Sequence, residues 1–344
     1  MKVCIYGAGA VGGLIGARLA AQDCVVSTIA RGATRDALRE RGLRLQLKDQ
    51  LITARVRAEE DPAALGPQDI VIIAVKAPSI ASVAAGIAPL LGPQTLVVPA
   101  MNGVPWWFFD GVGGEYSGLR LTSVDPTGAI STAIPTRQVI GCVVHLTCSV
   151  PEPGLIRHGF GNRLILGEPA GGESERLRKL ATLFGKAGFE VSISLRIQAD
   201  IWYKLWGNMT MNPVSAITGA TCDRILDDPL VNRFCLAVMG EAARIGSKIG
   251  CPIAQSGEDR NAVTRQLGAF KTSMLQDVEA GKPVELDALV SVVREIGERV
   301  GEPSPNIDTL LGLSRLHARV RGFVSSLRRV ALSSRSDRGS ASQA

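Results

Sequence analysis

The chain alternates continuous hydrophobic runs with segments whose apolar positions recur every three or four residues. KVCIYG (2–7) precedes VGGLIGARLAA (11–21), VVSTIAR (25–31) precedes ATRDALRER (33–41), and further apolar runs come at DIVIIAVK (69–76) and TLVVPAMN (95–102). Val/Ile runs bounded by Gly and Pro predict strands buried on both faces, as in a parallel sheet with helices on each side. CVVHLTCSV (142–150), RLILGE (163–168) and VSISL (191–195) predict more strands, and ERLRKLATLFGKAG (175–188) an amphipathic helix closed by Gly188. From about Arg196 the period becomes helical in 200–217, 230–250, 262–281 and 285–301. The expectation is an α/β domain over 1–195, an all-α domain over 196–325, and a flexible Arg/Ser-rich tail over 326–344. Residues 105–128, which begin PWWFF, fit neither pattern and are long for a connection. They read as a lid or flap, or equally as a simple hairpin excursion.

A length of 344 residues agrees with two domains, and 46% hydrophobic with 20% charged residues is a soluble composition. No apolar run reaches the roughly 18 residues of a membrane span. KVCIYG follows Met1 directly, with no basic segment and hydrophobic stretch before it, so the expectation is a cytoplasmic protein. The net charge of +6 changes little. From Arg315 onward there are seven arginines and one aspartate, an excess equal to the whole-chain charge. The remainder is neutral, which argues against nucleic acid as a partner. Seven cysteines contain no C-x-x-C pair and three histidines offer no zinc spacing, so neither a metal nor a disulfide is expected. His145, within VVHLT, reads as a core residue.

Candidate chemistry starts at Gly7-Ala8-Gly9-Ala10-Val11-Gly12, directly after one predicted strand and opening a helix. Gly7 permits the tight turn, Gly9 lets backbone approach a pyrophosphate, and Gly12 allows helix to pack closely on strand. The next strand ends in Arg31, where an NAD-binding chain usually carries Asp or Glu. A guanidinium suits a 2′-phosphate, so NADPH is favoured over NADH. Lys76 and Asn102 lie just past two further strands, where a doubly wound sheet binds its ligands. Each also has a plain reading, as a loop lysine and as half of an Asn-Gly turn.

In YKLWGNMTMNP (203–213), Lys204, Asn208 and Asn212 fall four apart and share one helix face. Trp202 and Trp206 flank the lysine. A partly buried ammonium on such a face can stabilise negative charge that develops on a carbonyl oxygen and donate its proton to it. Asn212-Pro213 also has a plain reading as a helix break, which is compatible with a role at the site.

GAGAVG, VKAPS (75–79), MNGV (101–104), KLWGNMTMNP (204–213) and SMLQDVEAGKPVELD (273–287) together resemble the ketopantoate reductase (2-dehydropantoate 2-reductase) family, in order over residues 1 to about 325. The resemblance implies a Rossmann-like dinucleotide-binding domain followed by an all-α domain like the C-terminal domain of 6-phosphogluconate dehydrogenase. It implies NADPH-dependent reduction of 2-dehydropantoate to (R)-pantoate, on the way to pantothenate and coenzyme A. By position, Lys204 matches the family's catalytic lysine. Asn208 and Asn212 match its helix asparagines, Ser273 and Glu285 its substrate-side serine and glutamate. Lys76 and Asn102 match residues bordering nicotinamide ribose and substrate, and Arg31 the 2′-phosphate arginine. Cys222 stands where the family often has another asparagine. Partners other than the small 2-oxo acid are not expected, beyond a second copy in a homodimer if the protein is not a monomer. Two alternatives remain: a related NAD(P)-dependent 2-oxo or hydroxy acid oxidoreductase, and a non-catalytic NADPH sensor, which would not need the Lys/Asn/Glu set.

Overall fold

The computed structural model describes residues 1–22 and 24–323; the expected tail over 326–344 lies outside them. Twelve strands are described: β1 (Lys2–Tyr6), β2 (Val25–Ile29), β3 (Leu43–Leu47), β4 (Gln50–Ala54), β5 (Arg57–Glu59), β6 (Gln68–Ile73), β7 (Leu91–Pro99), β8 (Gly141–His145), β9 (Cys148–Glu152), β10 (Leu155–His158), β11 (Arg163–Gly167) and β12 (Glu190–Ser194). The helices are α1 (Ala10–Ala20), α2 (Gly32–Arg41), α3 (Ile80–Gly86), α4 (Ala129–Ala133), α5 (Glu175–Lys186), α6 (Ile197–Thr218), α7 (Cys222–Asp227), α8 (Pro229–Lys248), α9 (Gly257–Arg265), α10 (Ser273–Glu279), α11 (Val292–Arg299) and α12 (Pro305–Val320). The chain divides into two compact units, Met1–Lys204 and Leu205 onward. Among the described residues no helix is long and apolar enough to cross a membrane.

In the first unit the Val/Ile runs form a parallel sheet in the order β5-β2-β1-β6-β7. The order reverses between β1 and β6, so a crevice opens beyond their carboxyl ends, where such sheets bind nucleotides. Two smaller sheets accompany it, β4-β3-β10-β9 and β12-β11-β8. The expected strand over 142–150 is therefore two: β8 pairs with β11, and β9 with β10. Helix α1 packs closely on β1 and β10 because Gly13 and Gly16 leave room. A Cβ at Gly13 would lie 2.6 Å from Ile156, and one at Gly16 2.9 Å from Ile5. Close packing of this helix holds the glycine loop against the sheet.

Residues 105–128 contain no strand, so they are not a hairpin. They run as successive turns, and Trp106, Trp107, Phe108 and Phe109 are all buried. Phe108 packs edge-on against Phe109, with ring centroids 5.1 Å apart, and lies 6.2 Å from Trp202. Trp107 occupies the space above Gly141, where a Cβ would approach its ring to 2.7 Å. Four large apolar side chains in sequence favour joint burial, and here they are buried beside Gly141 of β8 and Trp202 of α6.

The second unit is helical, with α8 packed against α7, α9, α11 and α12. Buried Glu241 on α8 accepts hydrogen bonds from the Asn306 and Ile307 amides, at 3.0 and 2.9 Å, and so caps the N-terminus of α12. Helix α6 contains Pro213 yet continues to Thr218, so the chain does not break at Asn212-Pro213. Met209, Thr210, Met211, Asn212, Val214, Ser215 and Ala216 are all buried, and this enclosure outweighs the one backbone bond that the proline cannot make.

Candidate active site

The glycine loop joins β1 to α1 at the edge of the crevice. Gly7 has φ +98°, and a Cβ there would lie 2.7 Å from Val75 Cγ1 and 2.9 Å from the Ala74 carbonyl oxygen. A Cβ on Gly12 would fall 2.2 Å from the Gly7 carbonyl oxygen. Both positions are therefore closed to any side chain by the protein itself. Gly9 is different: nothing lies within 4 Å of its Cβ position. It is the N-cap residue of α1, whose first turn has no acidic residue and whose cap makes no side-chain hydrogen bond. The leading amides of α1 thus face open space with the positive end of the helix dipole behind them. Ala8, Ala10 and Val11 add no charge and little bulk. This cradle fits a dinucleotide pyrophosphate.

Arg31 is exposed, occupies the N-cap position of α2 just past β2 without a side-chain capping bond, and forms no ion pair among the described residues. Its charge reaches Tyr6, the residue before the glycine loop: burial pushes the Tyr6 phenol above its ordinary value of 10, and Arg31 opposes that rise. One turn into α2, Arg35 is held by Asp36 and Glu60 at 2.8 and 2.9 Å. Lys76 is exposed and leads a short 3-10 turn after β6.

Lys204 is half-buried on α6, between the buried indoles of Trp202 and Trp206 in sequence. Its Nζ donates to Asn102 Oδ1 at 2.9 Å and to the Val144 carbonyl oxygen at 2.5 Å. Asn102 follows β7 and Val144 lies in β8, so two sheets converge on one ammonium. Those sheets are joined where the Ile140 amide donates to the Val97 carbonyl at 2.9 Å. Burial pushes the Cys142 thiol up to about 12 against the opposing pull of the Lys204 charge. Asn102 thus holds Lys204 directly, a contact its sequence position did not reveal. The Val144 carbonyl was missed altogether, since a main-chain acceptor leaves no residue signature. His145, expected in the core, is half-buried at the end of β8.

The remaining candidates lie on the second unit. Asn208 is half-buried and Asn212 buried on α6. Ser273 is half-buried as the first residue of α10, next to the N-cap Thr272, whose hydroxyl accepts from the Leu275 amide at 3.2 Å. Glu285 is buried and stands just before a single π-helical turn, Asp287–Ser291, a feature common at functional sites. Cys222 is buried, with its thiol pushed up to about 11 by burial and by the neighbouring Asp223 charge. A neutral buried thiol cannot replace the two-donor amide of an asparagine. Among the described residues no three His, Cys, Asp or Glu side chains gather as a metal site.

The model described as "Ketopantoate reductase PanE/ApbA" matches residues 3–171, and "Ketopantoate reductase PanE/ApbA C terminal" matches residues 196–318. A 2-dehydropantoate 2-reductase of Mesorhizobium japonicum is 46% identical over 326 residues, covering 94% of this chain and all of the relative. The crystal structure of a candidate ketopantoate reductase from Ralstonia solanacearum MolK2 superposes with a TM-score of 0.90 at 66% identity, covering 93% of this chain and 98% of the other. A D-mandelate dehydrogenase bound to NADH and anilino(oxo)acetate superposes with a TM-score of 0.79 at 19% identity, over 94% of this chain and all of the other, a likeness of fold alone.

Proposed function

We propose that this chain, which belongs to the ketopantoate reductase family, reduces 2-dehydropantoate to (R)-pantoate with NADPH, in the cytoplasm, as a monomer or homodimer. Membership makes it an oxidoreductase with a dinucleotide-binding first domain. The observation that carries the reading is the Lys204 ammonium, fixed by Asn102 and the Val144 carbonyl in the unit that also bears the glycine loop.

When bound, the nicotinamide supplies the hydride. The loop Gly7 to Gly12 holds the pyrophosphate on the N-terminus of α1, Arg31 receives the 2′-phosphate, and Lys76 borders the nicotinamide ribose. Asn102 positions Lys204 and reaches substrate. Lys204 donates the proton to the carbonyl oxygen as charge develops there. Asn208, Asn212 and Ser273 hydrogen-bond the substrate, and Glu285 accepts from its hydroxyl. Residues 1–195 serve mainly the cofactor, and 196–325 the substrate and the catalytic lysine.

The test is turnover of purified protein with NADPH or NADH and a panel of 2-oxo acids. Expected are activity on 2-dehydropantoate, preference for NADPH, and loss of that preference in Arg31→Ala. Turnover of another 2-oxo acid with none on 2-dehydropantoate would overturn the substrate assignment.

A further inference from the structure

We propose that a cavity at the amino ends of β6 and β7 binds a small organic anion with an apolar body, at a site separate from the nucleotide crevice. The cavity lies wholly within the first unit and has a volume of ≈ 400 Å³, a size at which small-molecule pockets are found. The crevice opens beyond the carboxyl ends of the strands, so the two sites occupy opposite ends of the sheet.

An irregularity in the sheet shapes the cavity. Between the register pairs Gln68–Leu91 and Ile70–Leu96, the residues Gly92 to Thr95 of β7 stand opposite the single residue Asp69 of β6. The surplus bulges out of the ladder. It closes on itself where the Gly92 amide donates to Thr95 Oγ1 at 2.7 Å. Thr95 Oγ1 donates in turn to the Gln68 carbonyl at 2.6 Å, and Gln138 Nε2 donates to the Gly92 carbonyl at 2.8 Å. The bulge is thus tied both to β6 and to the short turn Thr136–Gln138. A wall fixed in this way is formed before any ligand arrives, which lowers the ordering cost of binding.

The lining has two characters. Ile70, Leu96, and Leu180 and Leu183 of α5 supply apolar surface. Arg137, Arg176 and Lys179 bring positive charge, and Asp69 brings negative charge. Most of these groups are engaged. Arg176 is spent on Glu168, through Nε at 2.8 Å and Nη2 at 2.5 Å. Asp69 Oδ2 accepts from the Lys2 amide at 2.7 Å. Lys179 pairs with Glu175, but both side chains are about three-quarters exposed, and such a pair adds little. Arg137 differs. Its carbonyl accepts from Arg176, while its exposed guanidinium has neither an ion pair nor a hydrogen bond among the described residues. A guanidinium takes a carboxylate or sulfonate through two parallel hydrogen bonds, and the leucines and Ile70 bury a hydrocarbon body.

Calorimetry on the intact protein with 2-naphthoate, and with its uncharged counterpart 2-naphthamide, tests the assignment. Saturating NADP+ is present throughout to fill the crevice. Naphthoate is expected to bind, and naphthamide to bind about tenfold more weakly. Arg137→Gln weakens naphthoate about tenfold and leaves naphthamide unchanged. Leu183→Gln weakens both ligands; Arg137→Gln decides alone if that variant fails to fold. Naphthoate held elsewhere, for example by Lys204, would persist in both variants. Naphthoate affinity unchanged in Arg137→Gln, or no naphthoate binding by the unaltered protein, overturns the proposal.

Discussion

Replacing Lys204 by alanine removes one ammonium that does two things in the proposed reaction. As proton donor it is worth about 10²–10⁴ in rate, and as a charge beside the developing alkoxide about 10²–10³. The two effects belong to one group and do not multiply, so kcat should fall by about 10³-fold, roughly 4 kcal/mol of barrier. The same change strips the partner from Asn102 Oδ1 and from the Val144 carbonyl, now bonded at 2.9 and 2.5 Å. An orphaned buried acceptor costs about 1–3 kcal/mol, partly offset because the buried ammonium also leaves. Lys204→Met keeps the stem and should lose the same rate. Lys204→Arg keeps the charge but holds its proton too tightly to donate, and should fall between. Single-turnover loss of NADPH absorbance at saturating substrate reads the chemical step, with a thermal melt alongside. Near-normal single-turnover rates in Lys204→Ala, or a loss confined to KM, would refute the assignment of Lys204 as acid.

Four further outcomes are expected. Gly9→Ala adds a methyl where the protein has nothing within 4 Å; its melt should match the parent while KM for NADPH rises roughly tenfold, about 1.4 kcal/mol. Gly12→Ala sets a carbon 2.2 Å from the Gly7 oxygen and should instead lose about 1–3 kcal/mol of stability in urea unfolding. Glu241→Gln halves the acceptor capacity that caps α12 and should cost about 1–3 kcal/mol, read by the same method. Burial raises the Glu168 carboxyl, but hydrogen bonds from Arg176 and Ser174 outweigh it, leaving the folded value below the ordinary 4.5. A depressed carboxyl contributes stability that is present above its unfolded value and is lost as pH falls through the folded one. Melting temperature against pH should therefore decline less steeply on the acid side in Glu168→Gln, and an unchanged slope would count against the network.

The parallel sheet and the glycine loop were legible because each depends on local chemistry: Val/Ile runs bounded by breakers, and a turn that admits no side chain. The small sheet β4-β3-β10-β9 was not. Its strands are half-exposed and mix charge with leucine, and β3 pairs with β10 more than 100 residues away. Their partners are set by tertiary pairing that no periodicity announces. The aromatic run 106–109 was legible as an anomaly but not as core, since bulk alone does not distinguish a flap from a plug. Lys204, Asn208 and Asn212 were legible as a stripe. That Asn102 would meet Lys204 was not, because 102 residues separate them.

Pro213 shows why local propensity and site geometry can point in different directions. A proline inside a helix costs roughly 3 kcal/mol through the missing amide and the ring clash, and read alone it ends the helix at Asn212. Each large apolar side chain buried fully returns about 1.5–3 kcal/mol, and Met209, Met211 and Val214 are all buried around it. Burial therefore wins, and α6 stays one element from Ile197 to Thr218. The consequence is metrical. At 1.5 Å of rise per residue, Lys204, Asn208 and Asn212 are held about 6 Å apart along the axis, and Asn212 belongs to the rigid helix instead of a fraying end. In the proposed reaction, where the Asn212 amide meets a small substrate at a set distance from the Lys204 ammonium, that rigidity serves better than a turn would.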